Sequence, residues 1–185
     1  HRIDYVVTNR NGEYISALDN GDRYILKKCF AGRECDIKKT REIFEAAGNL
    51  AKLHIIMRYE LEHGIPEGTK TDEKYRRHNR ELKKVRQFTR KVVPKGEFEF
   101  AFLKQFDQMY QWAEAAVEEL DRSDYEKLYA EEMKKSGMIH GEYNYHNIIM
   151  TKEGIATTNF EKFRRDIQVE DLYYFLRKVL EKSGW

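Results

Sequence analysis

Apolar and polar residues alternate in short runs at the start of the chain and settle into helical spacing further on. Asp4 to Thr8, Glu13 to Leu18 and Arg23 to Cys29 read as strands, separated by Asn11-Gly12 and by Asp19-Asn20-Gly21. Asn and Gly together supply the positive φ angles that tight hairpin turns require, so the pattern predicts three antiparallel strands. Ala31-Gly32-Arg33-Glu34 breaks it. Asp36 then stands where an N-cap side chain accepts the first free amides of a helix predicted from Ile37 to His63. Ile43, Ala46, Ala47, Leu50, Ala51 and Leu53 share one face of that helix, and Gly64-Ile65-Pro66 ends it.

Four more segments follow. Leu82, Val85, Phe88 and Val92 recur at helical spacing inside a basic stretch and predict an amphipathic helix there. Phe102, Leu103, Phe106, Tyr110, Ala113 and Val117 form a wide stripe over Phe98 to Leu120, of the kind that builds a core, and a shorter helix is predicted from Ser123 to Lys135. Met138 to Asn147 reads as a loop, followed by strands Ile148 to Thr151 and Ile155 to Phe160 around a Lys152-Glu153-Gly154 turn. A last helix is predicted over Val169 to Lys182. Strands followed mainly by helices place the chain in the α+β class.

Composition narrows the possibilities. Of 185 residues, 36% are charged, a fraction that favours disorder unless large apolar side chains offset it; the 13% aromatic content does so and predicts a packed core. No apolar run approaches the ~20 residues that span a bilayer, and no signal-peptide pattern opens the chain, so synthesis in the cytoplasm is expected. Cys29 and Cys35, six positions apart, match neither a disulfide framework nor a metal or redox motif. The chain begins at His1 and ends abruptly after Lys182-Ser183-Gly184-Trp185, as a fragment would. The net charge of +2 hides a segregation: Lys70 to Lys95 carries +8 and the rest −6. A solvated helix face explains such a stretch, and so does a surface for a phosphate-bearing ligand or an acidic protein partner. Nucleic acid is disfavoured, because no nucleic-acid module or interleaved stacking aromatics accompany the charge.

One stretch has the look of a reaction site. His140-Gly141-Glu142 is followed five residues later by Asn147, then a hairpin, then Asn159-Phe160-Glu161. This is the order of the phosphotransferase catalytic loop, H-x-D-x-x-x-x-N, and its following D-F-G-type motif. In that chemistry the carboxylate orients or deprotonates the attacking hydroxyl, the Asn binds Mg²⁺, and the Asp beyond the hairpin binds the Mg²⁺ that bridges the nucleotide phosphates. The candidate catalytic residues are therefore Glu142 and His140, although a lone loop histidine is more often a packing residue than a base. The candidate metal ligands are Asn147, Asn159 and Glu161. His140 and His146 lack a third partner for zinc.

Two substitutions weaken the site. Glu142 carries one methylene more than the Asp of the motif, and displacements of ~1 Å can cost ~100-fold in rate. Asn159 puts a neutral amide where a hard cation prefers a carboxylate, with Glu161 two residues away as partial compensation.

Taken together, Tyr24 to Cys35, the basic helix around Arg80 to Arg90 leading to Phe98-x-Phe100, the H-G-E-Y-N-Y-H-N loop and Asp166-Ile167 through Lys178 resemble the CotS-type spore-coat protein family over almost the whole chain. The resemblance implies a protein-kinase-like fold related to aminoglycoside and choline phosphotransferases. It implies that residues 1–28 are the last small-lobe strands, 29–36 the hinge, and 37–185 the helical large lobe with its catalytic-loop segment at 138–161. It further implies a nucleotide contact at Lys28, Cys29 and Phe30, a buried Asp171 supporting the catalytic loop, ATP and Mg²⁺ as cofactors, weakened or lost here, and location in a spore coat. The family's phosphate-binding Lys lies on strands with no counterpart after His1. Three functions follow from the residues: a catalytically impaired structural or scaffolding protein, an active phosphotransferase on a small-molecule or protein hydroxyl, and a helical interaction module without nucleotide.

Overall fold

The computed structural model describes residues 1–58 and 64–184, which divide into one unit of residues 1–66 with 135–185 and a second of residues 67–134. In chain order the elements are strands β1 (Arg2–Ile3), β2 (Val6–Val7), β3 (Ser16–Ala17), β4 (Arg23–Tyr24), β5 (Leu26–Lys27) and β6 (Gly32–Glu34), then helices α1 (Thr40–Ile56), α2 (Thr71–Lys91), α3 (Glu97–Arg122) and α4 (Tyr125–Lys134). Strands β7 (Met138–Ile139), β8 (Ile148–Thr151), β9 (Gly154–Thr157) and β10 (Arg164–Arg165) follow, and helix α5 (Val169–Lys182) closes the order.

In the first unit, β2 pairs antiparallel with β5 and β3 with β4, all shorter than the alternation predicts. Side-chain-built turns consume the intervening backbone. The Asn9 Oδ1 accepts the amides of Asn11 and Glu13, and Asn20 Oδ1 accepts that of Asp22. Such local bonds offer the backbone an alternative to the ladder. Arg2–Ile3, outside the expected strands, joins a four-stranded sheet of order β1-β9-β8-β6 in which only the β1–β9 pair is parallel. Met138–Ile139, expected as loop, pairs instead with Arg164–Arg165.

The segment Gly32–Glu34, read as a break, is a strand of that sheet because residue 32 has no side chain. A Cβ there would lie 2.5 Å from the carbonyl oxygen of Met150 on β8. Nor does Asp36 cap α1. Its carboxylate accepts the Lys38 amide and its carbonyl that of Lys39, forming a turn that delays the helix to Thr40. The buried Glu42 instead ties this corner together, accepting two bonds from the Arg33 guanidinium and the amide of Asp36. Those donors, Arg33 foremost, hold the Glu42 carboxyl down at about 2. The helix ends at Ile56, short of the expected His63: Met57 caps it, its amide bonded to the Leu53 carbonyl, and Arg58 forms a β-bridge with Gly137, while residues 59–63 lie outside the described residues.

Helix α1 faces the core with Ala46, Leu50, Leu53 and, just beyond it, Met57; α5 contributes Phe175 and Val179, and between them sit Met138, Tyr143 and Ile148. Cys35 is buried in the same cluster, where desolvation raises its thiol pKa to about 11, while Cys29 is an exposed free thiol.

In the second unit the expected apolar face of the basic helix is not the buried one. Leu82, Val85 and Phe88 stay exposed, Phe88 at 72%, while Asn79 and Thr89 are buried. Helix α2 meets α3 through charge: Asn79 donates to Glu114 at 2.7 Å, Arg76 pairs with Asp121 and Arg86 with Asp107, both at 2.5 Å. The Arg86 guanidinium also lies 4.5 Å from the Phe106 ring centre, and the Lys83 ammonium 4.8 Å from that of Tyr110. These residues recur three and four apart and form a stripe of their own, so cation–π and ion-pair contacts outcompete aliphatic burial on α2. The stripe expected on α3 does face inward, with Phe106 and Val117 buried.

Replacing Gly32 by Ala should push β6 off β8. The expected loss is about 1–3 kcal/mol of unfolding free energy, seen as a lower urea midpoint at unchanged denaturant slope.

Candidate functional site

The turn from β7 into the 3-10 turn Tyr145–Asn147 is held by a single buried carboxylate. Asp171, in the first turn of α5 and 1% exposed, accepts the His140 amide at 2.7 Å through Oδ2 and the Gly141 amide at 2.8 Å through Oδ1. The Nε2 of His54 on α1 lies 2.9 Å from the same Oδ2. Sequence reading passed over His54, although a polar residue one turn beyond Leu50 on an apolar helix face is the available signal. Gly141 has φ +84, and a Cβ there would stand 2.3 Å from the Lys162 carbonyl oxygen, so the loop turns where only glycine fits.

His140 is fully buried against Phe160, with ring centres 4.4 Å apart. Its Nε2 bonds the Thr158 carbonyl at 2.9 Å and its Nδ1 accepts the Glu142 amide at 3.2 Å, which assigns the proton to Nε2. Burial pushes its pKa below the ordinary 6.5 and keeps the ring neutral. Both nitrogens are thereby committed to shaping the loop.

Glu142 is half-buried. Its carbonyl accepts from the Asn147 side chain at 2.9 Å and from that of Asn144 at 3.2 Å, while among the described residues its carboxylate makes no hydrogen bond or ion pair. The buried Asn147 presents its Oδ1 to the Asn159 side-chain amide at 2.8 Å, so these two candidate ligands bond each other. Asn159 has φ +67, an αL position that Asn tolerates better than most residues, and its backbone amide donates to Asp4 at 3.0 Å. Its Oδ1 faces the Lys27 ammonium at 3.4 Å. That ammonium also pairs with Glu161 and lies 3.6 Å from Asp4. The structure thus brings Glu142, His140, Asn147, Asn159, Glu161 and Asp171 into one neighbourhood, joined by Asp4 and Lys27, which sequence reading missed. A charged residue directly after apolar Leu26 was the one signal for Lys27.

The remaining three candidates stand apart from that cluster. Lys28, Cys29 and Phe30 line a cavity of about 730 Å³ with Gly32, Met150 and Glu153 among its other walls. Lys28, the first residue after β5, lines this cavity, whereas the Lys27 ammonium reaches Asn159 and Glu161.

A divalent cation of the Mg²⁺ or Ca²⁺ kind takes six or more oxygen ligands, many of them carboxylate, phosphate or water. At the cluster the Asn147 and Asn159 oxygens accept from protein donors, and Glu161 is paired with an ammonium. This donor set does not fit a divalent cation.

The fold is that of aminoglycoside phosphotransferase-like kinases. The chain superposes over 100% of its length on 55% of the aminoglycoside phosphotransferase from Alicyclobacillus acidocaldarius, with a TM-score of 0.81 and 17% identity. It also matches, over 97% of its length and 48% of the other's, amicoumacin kinase hAmiN in complex with AMP-PNP, Ca²⁺ and Ami, with a TM-score of 0.56 and 15% identity. The chain spans about half the length of these structures. No family model and no curated protein matches it.

Replacing Asp171 by Ala leaves two loop amides without their acceptor and should cost about 2–5 kcal/mol, measured by urea unfolding. The His140 contribution has a defined sign. A buried ring with a lowered pKa binds fewer protons folded than unfolded, so its stabilisation is complete above pH 6.5 and erodes as pH falls below that value toward the folded one. Unfolding free energies measured from neutral to mildly acidic pH should show this slope, and His140→Gln should flatten it.

Proposed function

We propose that this chain belongs to a kinase-like protein in which the catalytic loop survives as architecture while metal-dependent phosphoryl transfer is impaired, leaving a structural or scaffolding role. The observation that carries this reading is the mutual bonding of Asn147 and Asn159, with the Asn159 oxygen and Glu161 both turned to an ammonium. Phosphoryl transfer relies on electrostatic stabilisation of phosphate charge, and here the groups at those positions neutralise one another. His140 acts as a positioning residue whose two bonds set the path between β7 and the hairpin. The cavity at Lys28, Cys29 and Phe30 is the proposed nucleotide contact, which makes the protein a nucleotide-responsive scaffold. The resemblance to the spore-coat family supplies the proposed setting, the coat of a bacterial endospore. The outward face of α2, with Arg77, Arg80, Lys84 and Lys91 exposed, is the proposed surface for an acidic protein of that assembly.

One observation favours a second reading. Glu142 is half-buried and its carboxylate makes no hydrogen bond or ion pair among the described residues, as a general base awaiting a hydroxyl would be. On that reading the protein is an active phosphotransferase.

Thermal-shift titration of the full-length protein with ATP, with and without Mg²⁺, separates the two. A rise in melting temperature of the same size in both conditions supports the scaffold. A rise that requires Mg²⁺, together with product formation that Glu142→Ala abolishes and Asn159→Asp increases, supports the enzyme and sinks the scaffold.

A further inference from the structure

The carboxylates beside Asn159 already have a cation, supplied by the chain itself. Lys27 projects from β5, half-buried, and its ammonium engages three groups from three parts of the first unit: Glu161, the Asn159 Oδ1 at 3.4 Å, and Asp4 at 3.6 Å. Asp4 is in turn bonded to the Asn159 backbone amide at 3.0 Å, with only 6% of its own side chain exposed. A lysine ammonium is charged throughout the physiological range. One ammonium among two carboxylates and an amide oxygen occupies the electrostatic place of a bound ion.

From this geometry we infer that Lys27 is the resident cation of the catalytic-loop cluster and the residue that determines its specificity, excluding divalent metal ions and metal-bound nucleoside polyphosphates. This rests on the reading of the site as metal-independent and adds the group responsible. Two physical arguments support it. A divalent ion at the Asn159 oxygen would sit within a few ångströms of a fixed positive charge, an interaction screened little at a partly buried site. Removing the ammonium, by contrast, leaves Asp4, Glu161 and the Asn159 oxygen unneutralised and close together, which is the hard, oxygen-only ligand set that Mn²⁺ and Mg²⁺ take.

The test uses Mn²⁺ alone, without nucleotide, followed by electron paramagnetic resonance in the full-length protein and its Lys27→Met variant. The variant should bind one Mn²⁺ at least about tenfold more tightly than the wild type, equivalent to ~1.4 kcal/mol, while Lys27→Arg, which keeps the charge, should show no gain. Unpaired carboxylates should also lower the melting temperature of Lys27→Met, and Mn²⁺ should restore it there without moving the wild type. That rescue reads out the proposal even if the variant folds poorly. Equal Mn²⁺ affinity in wild type and Lys27→Met, or no rescue by Mn²⁺, overturns it. Because no nucleotide is present, a failure of ATP to bind in the earlier titration leaves this comparison intact.

Discussion

The Asp171 carboxylate is the point through which the first unit acquires its loop. Two consecutive amides, of His140 and Gly141, end on its two oxygens, and His54 reaches it from α1. A carboxylate this deeply buried is costly unless its lone pairs are filled, and charge-assisted bonds are about twice as strong as neutral ones. The geometry downstream inherits that constraint. With residues 140 and 141 fixed, Gly141 must take its positive φ against Lys162, His140 must bridge Thr158 to Glu142, and Asn147 must fold back onto the Glu142 carbonyl. Helix α5, through its first turn, therefore sets the shape of a loop some thirty residues earlier in the chain.

That frame explains why loop shape and loop chemistry can diverge. The backbone path depends on Asp171, Gly141 and His140, none of which, among the described residues, hydrogen-bonds to Lys27, Asp4, Asn159 or Glu161. The side-chain chemistry at 142 and 159 is therefore separable from the path of the loop, within the limit that position 159 holds an αL backbone. Asn159 shows the compromise at one position. It combines an αL backbone with a neutral side chain bonded to Asn147 and facing Lys27.

Much of this was legible in the chain. The bounds of the last helix, the inward stripe of α3 and the hairpin beyond Asn147 follow from periodicity and turn residues, which are local signals. What escaped reading was non-local. The parallel pairing of Arg2 with Ala156 joins residues at opposite ends of the chain, and nothing within a short window encodes it. The Lys27 cluster likewise draws on Asp4, Asn159 and Glu161. Asp36 met the rule for an N-cap, but the same side chain closes a tighter turn, and Glu42 took over the corner because Arg33 stood within reach.

Helix α2 shows how a correct pattern can point to the wrong face. Leu82, Val85 and Phe88 do share a side of the helix, yet Arg76, Asn79, Lys83 and Arg86 form a second stripe at the same spacing, and hydropathy scales credit only the first. What decides between them is the partner. Helix α3 offers Asp107, Glu114 and Asp121 along the facing side, with Phe106 and Tyr110 between them. Against that surface long cationic side chains bury their stems, stack on rings and end on carboxylates in one motion. Part of the charge on this chain is therefore used internally, at Lys27 in one unit and on the α3-facing stripe of α2 in the other. The near-neutral total of +2 thus combines such local pairs with the +8 of residues 70–95 set against −6 elsewhere.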